Sequence, residues 1–249
     1  MAEAPTVFVA GATSAIAQAV ARVYAARGAR LFLVGRDAAK LAAVRDDLLA
    51  RGAKQADISA VDLAAVESHA GLVDQAAAAL GGIDVALVAH GVLPDQARSQ
   101  SSFDETRRSL DVNFTSAASL AHELANRFEK RRVGMIAVIG SVAGDRGRQS
   151  NYVYGAAKGA IAIYLQGLRH RLHASGVKVL TVKPGFVDTP MTAAFPKGPL
   201  WASPERVARD IVRAIDRGTS GEIYVPFFWR AIMAVIRSVP ERVFVKTKL

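Results

Sequence analysis

The chain has 249 residues, 51% of them hydrophobic, with a formal net charge of +10 and no cysteine. That length suits one large α/β unit, and the missing thiols exclude both disulfide frameworks and thiolate sites, so a reducing cytoplasm is the expected setting. The positive field attracts phosphorylated cofactors, anionic lipid or nucleic acid. The cations are scattered, however, with "EKRRVG" (129–134) as the tight cluster, and no nucleic-acid motif accompanies them, so nucleic acid is not an expected partner. The opening "MAEAPTVFVAGA" has no basic segment followed by a long apolar run, and no secretion signal is read there. No uncharged apolar stretch reaches the roughly 18–20 residues that span a bilayer.

In chain order, "TVFVAG" (6–11), "LFLVG" (31–35), "ISAVDL" (58–63), "DVALVAHG" (84–91), "GMIAVIGS" (134–141), "VKVLTVKP" (177–184) and "EIYVP" (222–226) read as strands. They are nearly continuous in Val, Leu, Ile and Ala, as strands buried on both faces of a parallel sheet are. Helical patterns lie between them, such as 14–28 and 37–52, each ending at a glycine suited to a helix C-terminus. This alternation predicts a single α/β domain: a doubly wound, seven-stranded, mostly parallel sheet with helices on both faces. Residues 1–226 form its main body, and 227–249 an apolar, basic tail of the same domain.

The first strand runs into "GATSAIA". Small residues there let backbone N–H groups approach a phosphate, and the next helix offers its positive end. Gly11, Thr13, Ser14, Ala15 and Ile16 are therefore candidate cofactor contacts. After the second strand, "LVGRD" places Gly35 and Arg36 where a carboxylate would bind an adenosine ribose, with Asp37 one step on. A guanidinium forks onto phosphate, so Arg36 predicts NADP(H) over NAD(H); the bland alternative is Arg36 as a solvated helix-start residue and Asp37 as merely an N-cap.

In "NYVYGAAKGAIAIYL" only Tyr154 lies four residues before Lys158. That spacing puts both on one helix face while Tyr152 turns away. A phenol has a reference pKa near ~10, and a fixed ammonium beside it favours the phenolate, so Tyr154 can exchange a proton with a developing alkoxide. Thirteen residues upstream, "VIGSVAG" places Ser141 at a strand end, where α/β sheets form their ligand crevice. Its hydroxyl can bond the same substrate oxygen. No metal is expected.

These residues resemble the short-chain dehydrogenases/reductases, over nearly the whole chain. "GATSAIA" is similar to the family's Gly-x-x-x-Gly-x-Gly turn, with Ala15 and Ala17 in place of glycines. Ser141 matches the family serine, and "YGAAK" the Tyr-x-x-x-Lys. "DVNFTSA" (111–117) places the family asparagine at Asn113. "VDL" (61–63) matches the adenine-contacting segment at Asp62 and Leu63. "KPGFVDTPM" (183–191) matches the Pro-Gly stretch that meets the nicotinamide, through Pro184, Gly185, Val187 and Thr189. The resemblance implies a Rossmann-type domain, Tyr154 as acid/base, and Lys158 also holding the nicotinamide ribose. It further implies Asn113 supporting a water between Lys158 and solvent, and a homodimer or homotetramer. The family's Asn-Asn-Ala-Gly reads "VAHG" (88–91) here, so Gly91 is a cofactor contact and His90 a candidate pocket residue. Tyr152 is expected as a wall of that pocket.

After the sixth strand, "GFVDTPMTAAFPKGPLWASPE" (185–205) suits a mobile apolar lid over substrate, with Met191 and Phe195 facing the pocket. The end of the chain, "FFWRAIMAVIRSVPERVFVKTKL" (227–249), holds an apolar helix between Pro226 and Pro240 followed by basic residues. It suits either an interfacial helix on anionic lipid or a helix packed on the core or a second subunit. With "VAHGVLPDQ" and "GSVAGDRGRQSNYVYGAAKG", this tail resembles reductases of decaprenylphosphoryl-2-keto-ribose. That implies a lipid-linked ketone substrate, a flavin oxidase partner that makes it, and peripheral contact at the inner face of the cytoplasmic membrane. Reduction of a 3-ketoacyl thioester or another soluble ketone is the rival enzyme reading. A non-catalytic NADP(H)-sensing or membrane-docking module is the rival outside enzymology.

Overall fold

The computed structural model describes residues 4–247. Met1–Glu3, the start of the stretch read as lacking a secretion signal, and Lys248–Leu249, the last of the tail, lie outside the described residues. The strands are β1 (Thr6–Ala10), β2 (Arg30–Gly35), β3 (Gln55–Ala60), β4 (Val85–Val88), β5 (Met135–Ile139), β6 (Lys178–Pro184) and β7 (Gly221–Val225). They form one 7-stranded sheet in the order β3-β2-β1-β4-β5-β6-β7. Each pairing is parallel, so the sheet is wholly rather than mostly parallel.

Strand periodicity sorts the core into two layers. Val7, Val9, Leu31 and Leu33 face helices α1 (Ala15–Ala25), α2 (Ala38–Ala50) and α8 (Pro204–Asp216). Phe8, Ala10, Phe32 and Val34 face α3 (His69–Leu80), α6 (Ser116–Arg131) and α7 (Tyr152–Leu172). Between β4 and α6 the chain makes short helices α4 (Gln96–Ser101) and α5 (Phe103–Leu110), then a π-helical turn over Asp111–Thr115. Such a turn is frequent at functional positions, and here it carries Asn113.

β3 lies three residues earlier than the 58–63 expected. It is an edge strand whose ladder runs from Arg30↔Gln55 to Gly35↔Ala60 and ends where β2 ends. Four of its six residues are only partly covered and a fifth is exposed, which weakens the continuous apolar signal. Asp62 and Leu63 consequently leave the sheet. The tail forms α9 (Trp229–Ser238) and α10 (Glu241–Phe244).

Candidate active site

A cavity of about 550 Å³ opens at the carboxyl ends of the strands, at the β1/β4 position where the order of connections reverses. One end is built by the turn from β1 to α1. Gly11 takes φ +78°, and a side chain there would bring its Cβ within 2.5 Å of the His90 backbone nitrogen. Ser14 starts α1 without a side-chain cap bond, so the first-turn N–H groups have no internal partner and face the cavity with Thr13, Ala15 and Ile16. That arrangement fits a pyrophosphate. Of the two alanines in place of glycines, Ala15 lines the cavity, whereas Ala17 is fully buried in the core.

Arg36 lies exposed on the cavity rim beyond β2. Asp37 accepts the Lys40 backbone N–H at 3.0 Å as the cap of α2, so its carboxylate is committed locally. Asp62 and Leu63 line the same end. The Leu63 carbonyl accepts from the Ser116 hydroxyl and, at 3.1 Å, from His69 Nε2. Because Ser116 spends its proton on that carbonyl, His90 Nε2 is the donor in the 2.8 Å bond to Ser116 Oγ. His90 Nδ1 is then a bare lone pair. Burial, with the charges of Lys158 and His69 adding to it, lowers the His90 pKa to about 3. The ring is neutral at ordinary pH and cannot serve as a general acid.

Ser141, Asn113, Tyr154 and Lys158 line the middle of the cavity. Asn113 is fully buried; its amide donates to the Val92 carbonyl at 2.9 Å and its carbonyl accepts the Val92 N–H at 3.1 Å. This pair of bonds fixes the segment after β4. Lys158, 5% exposed, donates to the Ile139 carbonyl at 2.9 Å, and its Nζ lies 5.8 Å from the centre of the Tyr154 ring. Ser141 caps a 3-10 turn (Val142–Asp145) by accepting the Ala143 N–H at 3.1 Å. Burial pushes the Tyr154 hydroxyl up to about 12, with the Ser141 hydroxyl pulling it back. Burial also lowers the Lys158 pKa to about 8. Desolvation is the larger influence on the Tyr154 hydroxyl, which is protonated at neutral pH and so stands as an acid.

The family model described as short chain dehydrogenase matches residues 5–199. This chain belongs to the short-chain dehydrogenase family. An uncharacterized oxidoreductase of Mycobacterium tuberculosis is 34% identical over 241 residues, covering 97% of this chain and 96% of that protein. One of Streptomyces coelicolor is 34% identical over 242 residues, covering 96% and 94%. Two solved structures share the fold. An alcohol dehydrogenase from Thermococcus sibiricus, complexed with 5-hydroxy-NADP, has TM-score 0.79 and 20% identity, covering 89% of this chain and 96% of that one. A short-chain type dehydrogenase/reductase from Mycobacterium marinum has TM-score 0.81 and 24% identity, covering 88% and 93%. The protein is accordingly an oxidoreductase of a family that uses NAD(P)(H).

In this short-chain dehydrogenase, Gly91, Pro184, Gly185, Val187 and Thr189 line the cavity, as do His90 and Met191. Two expected pocket residues do not. Tyr152 is 45% exposed and outside the lining, because two residues of helix rotate it to the side opposite Tyr154. Phe195 is 47% exposed and also outside, on a stretch that runs outward between the Thr192 turn and a bridge pairing Val187 with Ala202. Arg108, Val112 and Thr192 line the cavity and were not anticipated. Arg108 sits in "FDETRRSL", whose charges look like any solvated helix face.

The tail packs against the serine turn and Gly185. Trp229 and Met233 are buried with Val142 of the serine turn. The Trp229 indole lies where a Gly185 side chain would be, and Phe186 packs between the rings of Trp229 and Trp201. Arg146, just past the serine turn, donates to the carbonyls of Ile236 at 2.8 Å and Val239 at 2.5 Å. It also bonds Glu241 at 2.8 Å and covers the Phe244 ring at 3.9 Å. The outer face leaves Phe227, Val235, Val243 and Val245 exposed.

Proposed function

We propose that the protein is an NADPH-dependent carbonyl reductase, and that its substrate is a lipid-linked 2-keto pentose. The observation that carries the reductase reading is that Ser141, Tyr154 and Lys158 line the same cavity as the Gly11–Ile16 turn and Arg36. The Gly11 turn and first-turn N–H groups of α1 would hold the pyrophosphate, and Arg36 a 2′-phosphate. When bound, the dinucleotide supplies a hydride for a carbonyl carbon. Tyr154, a phenol protonated at neutral pH, gives its hydroxyl proton to the carbonyl oxygen as charge develops there. Ser141 donates a hydrogen bond to that oxygen and orients it. Lys158, anchored on Ile139, keeps positive charge beside the phenol as it loses its proton.

Phe186, Met191, Phe195 and Leu200, all on the segment leaving the cavity, are each exposed. An apolar surface of that kind suits a substrate carrying a hydrocarbon chain. Among the described residues, no helix is long and apolar enough to cross a membrane; the outer face of α9–α10, with Arg230, Arg237 and Arg242 exposed beside its apolar residues, supports peripheral contact with anionic lipid. A flavin oxidase that forms the keto sugar is the partner this reading requires.

NADPH consumption with a polyprenyl-phosphoryl 2-keto pentose, in competition with an acetoacetyl thioester, tests the substrate; preference for the thioester would replace it. Tyr154→Phe is expected to reduce turnover by about 10²–10⁴-fold while NADPH binding is unchanged. An undiminished rate would reject Tyr154 as the acid. Tight NADPH binding without oxidation by any ketone would instead mark a sensing module.

A further inference from the structure

Beneath the serine turn lies a set of buried charges that the proton transfer does not use. Lys183, one residue before Pro184 and Gly185, is 5% exposed. Its Nζ donates to Asp145 Oδ1 at 2.8 Å and to Glu222 Oε2 at 2.7 Å. The Tyr224 hydroxyl donates to the other Asp145 oxygen at 2.7 Å, and Gln166 to the other Glu222 oxygen at 3.0 Å. Each carboxylate oxygen therefore has a donor. Burial works against the Lys183 ammonium, but its bonds to Asp145 and Glu222 outweigh that and raise its pKa, so it stays charged.

Burying the Lys183 and Asp145 charges, with Glu222 partly covered beside them, is a poor way to stabilise a fold, since the desolvation of each ion offsets most of the attraction. The placement of this cluster is more informative. Asp145 ends the turn that Ser141 begins. Within that turn Gly144 lies against α7, so close that a Cβ would stand 2.5 Å from the Lys158 carbonyl carbon. The turn is thus pressed between the helix bearing Tyr154 and Lys158 and the strand that enters the cavity at Pro184.

We propose that Lys183, Asp145 and Glu222, with Tyr224, form a positioning cluster for catalysis: they pin the Ser141–Asp145 turn to β6 and β7 and so set where the Ser141 hydroxyl stands relative to Tyr154. This rests on the reductase reading above. The cluster touches neither the reacting carbonyl nor the proton; it acts through Ser141.

The test compares Tyr224→Phe, which removes one neutral donor to Asp145, with Asp145→Asn and Lys183→Arg. Turnover and KM are measured with NADPH and ethyl acetoacetate as the probe ketone, NADPH affinity by its fluorescence, and folding by the thermal midpoint. Because a misplacement near 1 Å costs about 10²-fold, Asp145→Asn should lower kcat by roughly ten- to a hundredfold and Tyr224→Phe by roughly three- to tenfold. NADPH affinity should stay within about twofold, since the phosphate turn is at the other end of the cavity. Lys183→Arg, which keeps the charge, should retain more turnover than Asp145→Asn. A lowered thermal midpoint with unchanged kcat would overturn the proposal and leave the cluster purely structural. If Asp145→Asn does not fold, Tyr224→Phe decides alone. A crystal structure of Tyr224→Phe supplies a substrate-free reading: a serine turn still superimposable on the wild type overturns the proposal, and a displaced Ser141 supports it. Tyr154→Phe, run alongside, separates the two failures. If it abolishes turnover while the cluster variants do not, only the cluster falls; if it retains turnover, the reductase reading is what fails.

Discussion

The two ends of the cavity are held by different means. At the cofactor end, around the β1–α1 turn, the work is done by backbone and by the absence of side chains: Gly11 has no room for a Cβ, and α1 begins with uncapped N–H groups. At the substrate end, side chains do the fastening. Trp229 sits on Gly185, Arg146 holds the tail, and Lys183 joins Asp145 to Glu222. Main-chain dipoles suffice to bind a phosphate, which is large and charged. Aiming one hydroxyl at one carbonyl needs directional contacts that only specific side chains supply.

That contrast can be broken most directly at the two glycines. Gly11→Ala would collide with the His90 main chain, which no second substitution can remove; NADPH affinity should fall by more than tenfold (about 1.4 kcal/mol) without rescue. Gly185→Ala would collide with the Trp229 side chain, costing about 1–3 kcal/mol of stability, and adding Trp229→Leu should recover part of it. Titration with NADPH and thermal melts read both. Rescue at Gly11, or none at Gly185, would erase the distinction.

Next in size is Arg36→Asp. It should weaken NADPH by about tenfold relative to NADH, the scale of one charge-assisted phosphate contact. An unaltered preference would remove Arg36 as the reader of the 2′-phosphate.

The pH dependence sharpens the substrate side. Tyr154 is protonated below about 12 and Lys158 below about 8. Raising the pH through about 8 removes the Lys158 ammonium first, so reductive turnover should decline there while Tyr154 still holds its proton. Rates that remain flat to pH 10 would show that the ammonium is not needed. The smallest effect expected is that of Asp37→Ala: loss of the α2 cap should lower the thermal midpoint slightly and leave cofactor preference unchanged. A changed preference would return Asp37 to the cofactor.

Legibility in the sequence follows the same division. The strand–helix alternation and the glycine turn are local patterns, and local patterns survive in one dimension. The edge strand β3 was displaced because half-covered residues lack the apolar run that marks a buried strand. Tyr152 is expected as a pocket wall beside Tyr154 and Phe195 as part of an apolar lid, yet helix phase turns the first outward and the course of the segment carries off the second. Arg108, the Trp229–Gly185 contact and the Lys183 cluster left no trace, since each depends on residues far apart in the chain.

The sequence by itself determined the parallel α/β architecture, through hydrophobic periodicity, and the helical spacing of Tyr154 and Lys158. Only the tertiary structure decided which distant segments enclose that pair, and hence that burial raises the pKa of the phenol and lowers that of the ammonium. It also decided that the tail and a buried ion cluster brace the serine turn. Desolvation and long-range contact depend on how distant segments enclose a point in space, which no local spacing of residues can state.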